Sequence, residues 1–447
     1  MKRKVDRYIR QFYQSTGNAL LITGARQIGK TYSIREFGKT FKSFVEINFV
    51  ENPQAVEIFK SAKTTQEILM RISLISKVPL IKGQTLVFFD EVQLCPDIMT
   101  AIKFLVEDGR YRYILSGSFF NEALKGIRSF PVGYMGIKQM YPLDFQEFIQ
   151  SFGVPASVID QVRNSWETKQ PVDAFVHQKM MELFRLFLVV GGMPAAVSKF
   201  VETNNLQEVM ALQQDILRLY KRDIAQYDQD NKLYIDEIFS LIAPELNAKN
   251  KRFILKSLNQ NARFSRYENS FLWLKNAGVA LAVYNVEEPK LPLLLARSRN
   301  LFKLFQSDVG LLCAQYAQGI QLKIIQGDND INYGSIFENM VAQELAAHGF
   351  DLYYYNHKKR GELDFVIEWE GQVLPIEVKS GKDYTTHNAL NNVLQEKEFC
   401  IDRALVFNNE NLQCKDDIVY APIYMVTFLE KKNEAPTFYK VDLTGLV

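Results

Sequence analysis

Short, continuous apolar runs alternate with segments of helical period over the first third of this chain. The runs at 19–23, 44–50, 86–90 and 112–116 predict strands, and a helix is predicted over 32–37. Runs this apolar suit strands buried on both faces of a parallel sheet. Strands alternating with helices imply an open sheet with helices on both sides. From 146 to about 230 the apolar positions recur at three and four, as in Met181, Phe184 and Leu188 and in Val209, Leu212, Ile216 and Leu219, which predicts a helical segment.

From 231 to about 300 the pattern predicts three helices and a hairpin. Ile235, Ile238, Phe239 and Ile242 line the first helix, Phe253, Ile254, Leu255 and Leu258 the second, and Tyr267, Phe271, Leu274 and Ala277 the third. Gly278 would cap the third helix, a strand follows over 279–284, and Pro289 and Pro292 fall in the return. Three helices and a hairpin describe a winged helix. From about 325, a helix over 334–348 precedes strands at 363–367 and 373–379, separated by a turn at Gly371. The expected parts are therefore 1–145, 146–230, 231–324 and 325–447. The expected fold class is α/β: an N-terminal parallel sheet, a helical lid, a winged-helix middle and a C-terminal α/β domain.

The first chemical signal follows the first strand. Gly24-Ala25-Arg26-Gln27-Ile28-Gly29-Lys30-Thr31 is GxxxxGK[ST] in full, between a predicted strand and a predicted helix. Glycines let the backbone curl so that successive N–H groups form an anion nest. Lys30 would reach the β- and γ-phosphates of ATP, and the Thr31 hydroxyl would hold Mg²⁺. The run 85–89 ends in Asp90-Glu91. In a phosphate-loop NTPase the first acid binds Mg²⁺ and the second acts as general base on water. The strand at 112–116 leads into Ser116-Gly117-Ser118, where such enzymes place a polar residue that senses the γ-phosphate.

The second signal lies near the C-terminus. Glu377 and Lys379, two apart on a strand, share a face. A hairpin can set Asp364 beside them, and Glu338 on the preceding helix can complete a metal shell. Two or three carboxylates and a lysine on adjacent elements suit Mg²⁺-dependent phosphodiester cleavage, with Lys379 orienting water. The D…ExK arrangement resembles the PD-(D/E)xK nuclease superfamily. Basic residues at Arg263, Arg266 and Lys275, and at 357–360, could meet phosphates of DNA or RNA.

Taken together, the chain resembles the prokaryotic AAA+-type ATPases whose C-terminal half is a conserved domain of unknown function with a winged helix and a nuclease-like end. The resemblance is carried by 24–31 (GARQIGKT), 88–93 (FFDEVQ), 115–118 (LSGS), 141–148 (YPLDFQEF), 191–194 (GGMP), 220–224 (YKRDI), 336–344 (IFENMVAQE), 362–365 (ELDF) and 375–379 (PIEVK). It implies ATP hydrolysis with Mg²⁺. Many members carry Gly-Arg where this chain has Gly133-Tyr134, so no arginine role carries over at that point. Arginine fingers in such ATPases often come from a neighbouring subunit, and Arg222 and Arg112 are candidates for that role in a homo-oligomer.

Bulk properties narrow the function classes. The chain has 447 residues, 47% hydrophobic and 23% charged, so several domains with real cores are expected. A net charge of +2 excludes a polyelectrolyte, and any nucleic-acid surface must be local. Cys95, Cys313, Cys400 and Cys414 form no CxxC pair and are expected to be reduced, buried thiols. The first residues show no apolar signal-peptide core, and the most apolar stretch, 183–197, is too short to cross a bilayer and contains Arg185. These features predict a cytoplasmic protein with no membrane partner. Two functional classes stay open: an ATP-driven enzyme acting on nucleic acid, and a nucleotide-dependent switch that binds a protein partner through a catalytically inactive nuclease-like domain.

Overall fold

In the computed structural model, residues 1–62, 64–118, 131–227, 232–248, 251–258, 264–328 and 330–431 are described. Five strands form the N-terminal sheet: β1 Ala19–Thr23, β2 Ser43–Asn48, β3 Thr85–Asp90, β4 Arg112–Gly117 and β5 Met135–Gln139. All pair in parallel, in the order β2-β3-β4-β1-β5. The period-2 alternation of strands divides their side chains between two cores. Leu20, Ile22, Leu86, Phe88 and Ile114 face one core, while Leu21, Val87, Phe89, Tyr113 and Leu115 face the other. The second core is closed by helices Thr65–Ile75 and Asp97–Asp108.

Helices Phe145–Ser151, Ala156–Thr168, Ala174–Val190, Pro194–Thr203 and Leu206–Tyr227 fill the predicted helical segment. The apolar stretch at 183–197 is split between Ala174–Val190 and Pro194–Thr203, which meet at 119°. Among the described residues, no single helix is long and apolar enough to cross a membrane.

The next region departs from the expected winged helix. Helices Lys232–Asn247 and Phe264–Asn276 form, but the second predicted helix is reduced among the described residues to a single 3₁₀ turn at Leu255–Ser257. Arg263 lies outside the described residues. The hairpin is present as β6 Ala280–Val286 and β7 Arg297–Gln306. Its strands do not stop at the expected boundary near 325. They join β8 Tyr353–His357, β9 Gly361–Trp369, β10 Gln372–Val378, β11 Ala404–Asn408, β12 Gln413–Lys415 and β13 Ile418–Pro422 in one eight-stranded mixed sheet, ordered β12-β13-β11-β10-β9-β8-β6-β7. The physical cause is an exposed edge: β6 and β8 pair in parallel at Tyr284–Tyr353, which satisfies backbone groups that a lone hairpin would leave open.

Helix Gly334–Ala347 is buried from Ser335 to Ala346. Three of its polar residues bond to backbone of other elements. Asn339 exchanges two hydrogen bonds with the Gln306 backbone, Gln343 accepts from Val309 N and donates to Leu143 O, and Glu344 accepts from Phe145 N at 2.6 Å. Cys95 and Cys313 are buried as expected, whereas Cys400 and Cys414 are exposed; all four are thiols.

Candidate functional site

The phosphate loop links β1 to helix Lys30–Gly38. Gly24 and Gly29 have φ of +138° and +94°, and a Cβ on Gly24 would sit 2.3 Å from the Met140 carbonyl. Glycine is therefore required at the entrance of the loop by both conformation and space. Lys30 is buried and folds back to donate to the carbonyls of Gly24 (2.9 Å) and Ala25 (2.7 Å). Burial lowers its ammonium to about 8, with Glu91 and Asp90 pulling the other way. An ammonium held this poorly has reason to prefer a phosphate.

The two acids at the end of β3 are wired differently. Asp90 accepts from Thr31 Oγ1 (3.1 Å), Asn48 Nδ2 (3.1 Å) and Ser116 Oγ. Burial pushes its carboxyl up, while the Ser116 and Thr31 hydroxyls pull it down. Glu91 stands in the left-handed region at φ +58° and accepts from Ser118 Oγ at 3.1 Å. Ser116 and Ser118, expected to sense phosphate directly, thus first orient Asp90 and Glu91. Asn48 was not foreseen; its signal was a polar residue closing the strand beside β3.

The outer side of the loop is gripped from outside the ATPase sheet. Arg26 Nη1 pairs with Asp223 Oδ1 at 2.7 Å, and the Tyr220 hydroxyl donates to the Arg26 carbonyl at 3.1 Å. Asp223 is 3% exposed on its side chain and Arg26 is 30% exposed. Burial raises the Asp223 carboxyl, Arg26 lowers it, and Glu91 raises it again. Gly278, after helix Phe264–Asn276, comes so close that a Cβ there would lie 3.0 Å from Ala25 N. Arg3 reaches the Ile28 carbonyl (3.0 Å), the Tyr141 carbonyl (2.8 Å) and Glu147 (3.0 Å). Of the arginine-finger candidates, Arg222 is exposed next to the Asp223 contact. Arg112 sits at the opposite end of β4 from Ser116 and donates to the Thr16 carbonyl, so it is turned away from its own site.

The C-terminal set is also gathered. Asp364 on β9 accepts from Val378 N at 2.9 Å, and Lys379 Nζ lies 3.3 Å from Glu377. Asp364 also lies within hydrogen-bonding reach of Glu377 and close enough to Glu338 to raise its carboxyl, so the three expected metal-shell residues are neighbours. Lys251 pairs with Glu338, and Lys303, wholly buried on β7, lies 3.7 Å from Glu338 and 2.7 Å from Glu362. Among the described residues, no group of three or more His, Cys, Asp or Glu is set to hold a metal ion. The physical reason is that ammonium groups already stand among these carboxylates. Sequence reasoning missed Lys251 and Lys303. The available signal was Lys303 itself, a lone charge inside the apolar run 301–305.

The basic residues expected to face phosphates are placed as follows. Arg266 is exposed and stacks on Tyr234. Lys275 and Arg297 both stack on Tyr284, at 5.3 and 4.6 Å from the ring centroid. They line a cleft of about 450 Å³ that also touches Gly24, Tyr141 and Tyr353.

This arrangement is a phosphate loop, an acid pair at the end of the next-but-one strand and a five-stranded parallel sheet with β1 between β4 and β5. It defines a P-loop ATPase-like fold in the N-terminal part. Residues 16–149 match the AAA domain family, and residues 181–322 and 333–426 match two families described only as domains of unknown function, DUF8612 and DUF4143. No curated protein matches the chain. Among solved structures, it is similar to the Walker-type ATPase PABY2304 of Pyrococcus abyssi, at 15% identity and a TM-score of 0.43 over 70% of this chain and 95% of that one. It is also similar to the ORC1 protein of Aeropyrum pernix in complex with DNA, at 10% identity and a TM-score of 0.29 over 73% and 93%. A third is Cdc6p from Pyrobaculum aerophilum, at 12% identity and a TM-score of 0.24 over 72% and 92%.

The loop residues fit a nucleotide triphosphate with Mg²⁺. The glycine-lined entrance leaves no room for side chains, Lys30 is a buried cation, and Asp90 and Thr31 are oxygen donors already turned toward each other. The backbone of 24–29 and Lys30 would hold phosphate, and Thr31 and Asp90 would hold the ion. Bound Mg²⁺ would neutralise phosphate charge. Ser118 Oγ donates to the Glu91 carboxylate and fixes it where it would act on water.

Proposed function

We propose that this protein hydrolyses ATP with Mg²⁺ and uses nucleotide occupancy to change how its helical and C-terminal parts engage nucleic acid. The carrying observation is the contact of Arg26 with Asp223. A side chain of the phosphate loop is held by helix Leu206–Tyr227, so a phosphate that attracts Arg26 acts directly on the downstream parts. The cleft of Lys275 and Arg297 around the half-buried Tyr284 supports nucleic acid as the ligand, since cations gathered in a cleft suit a phosphate chain.

The test is nucleic-acid binding with no nucleotide, with ADP and with a non-hydrolysable ATP analogue, each across a salt series. Phosphate contacts release counterions, so affinity should fall steeply with salt, and the nucleotide states should differ. Identical affinity in all states, or binding indifferent to salt, would overturn this reading.

A second reading has one specific observation. Leu291, Leu294 and Leu295, in the return between β6 and β7, are 47%, 60% and 81% exposed. Such an apolar tip suits a protein partner. In that case a Leu294→Ser/Leu295→Ser variant would lose partner capture while ATP turnover is retained.

A further inference from the structure

The buried carboxylate cluster of the C-terminal sheet carries its own cations. Four carboxyl groups, Glu338, Glu362, Asp364 and Glu377, meet three ammonium groups, Lys251, Lys303 and Lys379, and the Arg252 guanidinium lies 3.9 Å from Glu362. Burial and the nearby Asp364 push Glu377 well above the usual carboxylate range, whereas Lys303 and Lys251 overcome burial and hold Asp364 below it.

Lys303 has no route out of this position. Its side chain is 0% exposed, its ammonium stands 5.0 Å from the centre of the Tyr354 ring, and Phe302 and Leu304 flank it as buried core residues of β7. A divalent ion on Glu338 and Asp364 would sit within a few ångströms of an ammonium that cannot leave. Hard cations need several oxygen ligands, and here Glu338, Glu362 and Glu377 each already face an ammonium group. Burial works against Lys303 as a cation, but Glu338, Asp364 and Glu362 together keep it protonated.

We infer that Lys303, seconded by Lys251, is the resident counter-ion of the Glu338–Asp364–Glu377 cluster. In this chain the nuclease-like constellation binds no divalent metal and cleaves no phosphodiester. The ammonium on β7 instead bolts the hairpin to β9 and to helix Gly334–Ala347, turning a catalytic pattern into a joint. This inference is independent of ATP turnover and of nucleic-acid binding, either of which can stand or fall without it.

The experiment is Mn²⁺ titration of the nucleotide-free full-length protein, followed by electron paramagnetic resonance, alongside cleavage assays on single- and double-stranded DNA and RNA. The parent protein should show no Mn²⁺ binding that Asp364→Asn or Glu377→Gln removes, and no cleavage. Lys303→Met keeps the aliphatic stem and deletes the charge; it should raise Mn²⁺ affinity at least tenfold, and adding Asp364→Asn should abolish the gain. Lys251→Ala, at a side chain 25% exposed, should give a smaller gain and serves where Lys303→Met fails to fold. Mn²⁺ binding or cleavage by the parent that is lost in Asp364→Asn would overturn the inference. So would folded charge-deletion variants with no gain, or with a gain that survives Asp364→Asn.

Discussion

Asp223 offers the most direct test of how the phosphate loop reports its state. The carboxylate is almost fully buried and holds Arg26 at 2.7 Å. Two unit charges about 4 Å apart attract by about 4 kcal/mol at an effective dielectric of 20. Desolvation removes much of that, and a hydrogen bond to a charged group nets about 1.5–3 kcal/mol. If ATP draws Arg26 to its phosphates, this contact is weakened on binding and its energy opposes affinity. Asp223→Asn keeps the shape and an acceptor oxygen but removes the charge. Recovering about 1.4 kcal/mol of that opposition corresponds to about tenfold tighter ATP binding. Calorimetry of ATP binding to both proteins gives the answer. Unchanged or weaker binding in Asp223→Asn would refute the competition, because Asp223 would then be holding Arg26 in place for the nucleotide.

Other consequences follow from the same site. Lys30→Ala should abolish measurable ATP affinity, whereas Glu91→Gln should retain binding and lose turnover by about 10²-fold or more, read as phosphate release. Because Lys30 in the nucleotide-free protein titrates at about 8, ATP binding above that pH must take up a proton. Affinity should then fall up to about tenfold per pH unit above 8. The same shift makes the unfolded chain hold the extra proton between about pH 8 and 10.5, so the Lys30 contribution to folding stability rises with pH across that window. A pH-independent affinity from 7.5 to 9.5 would show that Lys30 keeps its charge in the empty loop.

Much of the ATPase half was legible in the sequence because its chemistry is local. Residues 24–31 and 90–91 act within a strand end and the loop beside it, so a one-dimensional pattern carries their geometry. Asp223 and Lys303 act across long sequence separations, so a lone charge in an apolar run or a short motif marks the residue without naming its partner. Three apolar stripes and a hairpin suggest a winged helix, and among the described residues the second stripe holds one 3₁₀ turn. Four apolar residues within six positions fit one 3₁₀ turn as well as the start of an α-helix. The joining of β6 to β8 was illegible for a related reason. A hairpin's own pattern does not reveal whether its outer edge meets water or another strand.

The ties between these parts give the proposed loop–helix contact a physical route to the far sheet. Glycines 191 and 192 pass between the ATPase part and the C-terminal part. Gly192 accepts from Leu143 N at 2.7 Å and donates to Asp308, and Asp308 also caps helix Val309–Cys313. Leu143 is in turn held by Gln343, and Phe145 by Glu344, both on helix Gly334–Ala347. These are backbone contacts with no slack: a Cβ on Gly192 would lie 2.1 Å from the Leu143 carbonyl oxygen and 2.8 Å from its nitrogen. Neither atom is the end of a flexible side chain, so the strands of the joint would have to separate. Gly192→Ala should therefore cost about 1–3 kcal/mol, the usual range for overpacking a filled interior. The cost should appear as a lower urea midpoint for the C-terminal part as well as for the ATPase part, followed by hydrogen exchange. A midpoint equal to the parent's would mean that the joint gives way without loss. Helix Gly334–Ala347 could not then transmit what happens at Arg26.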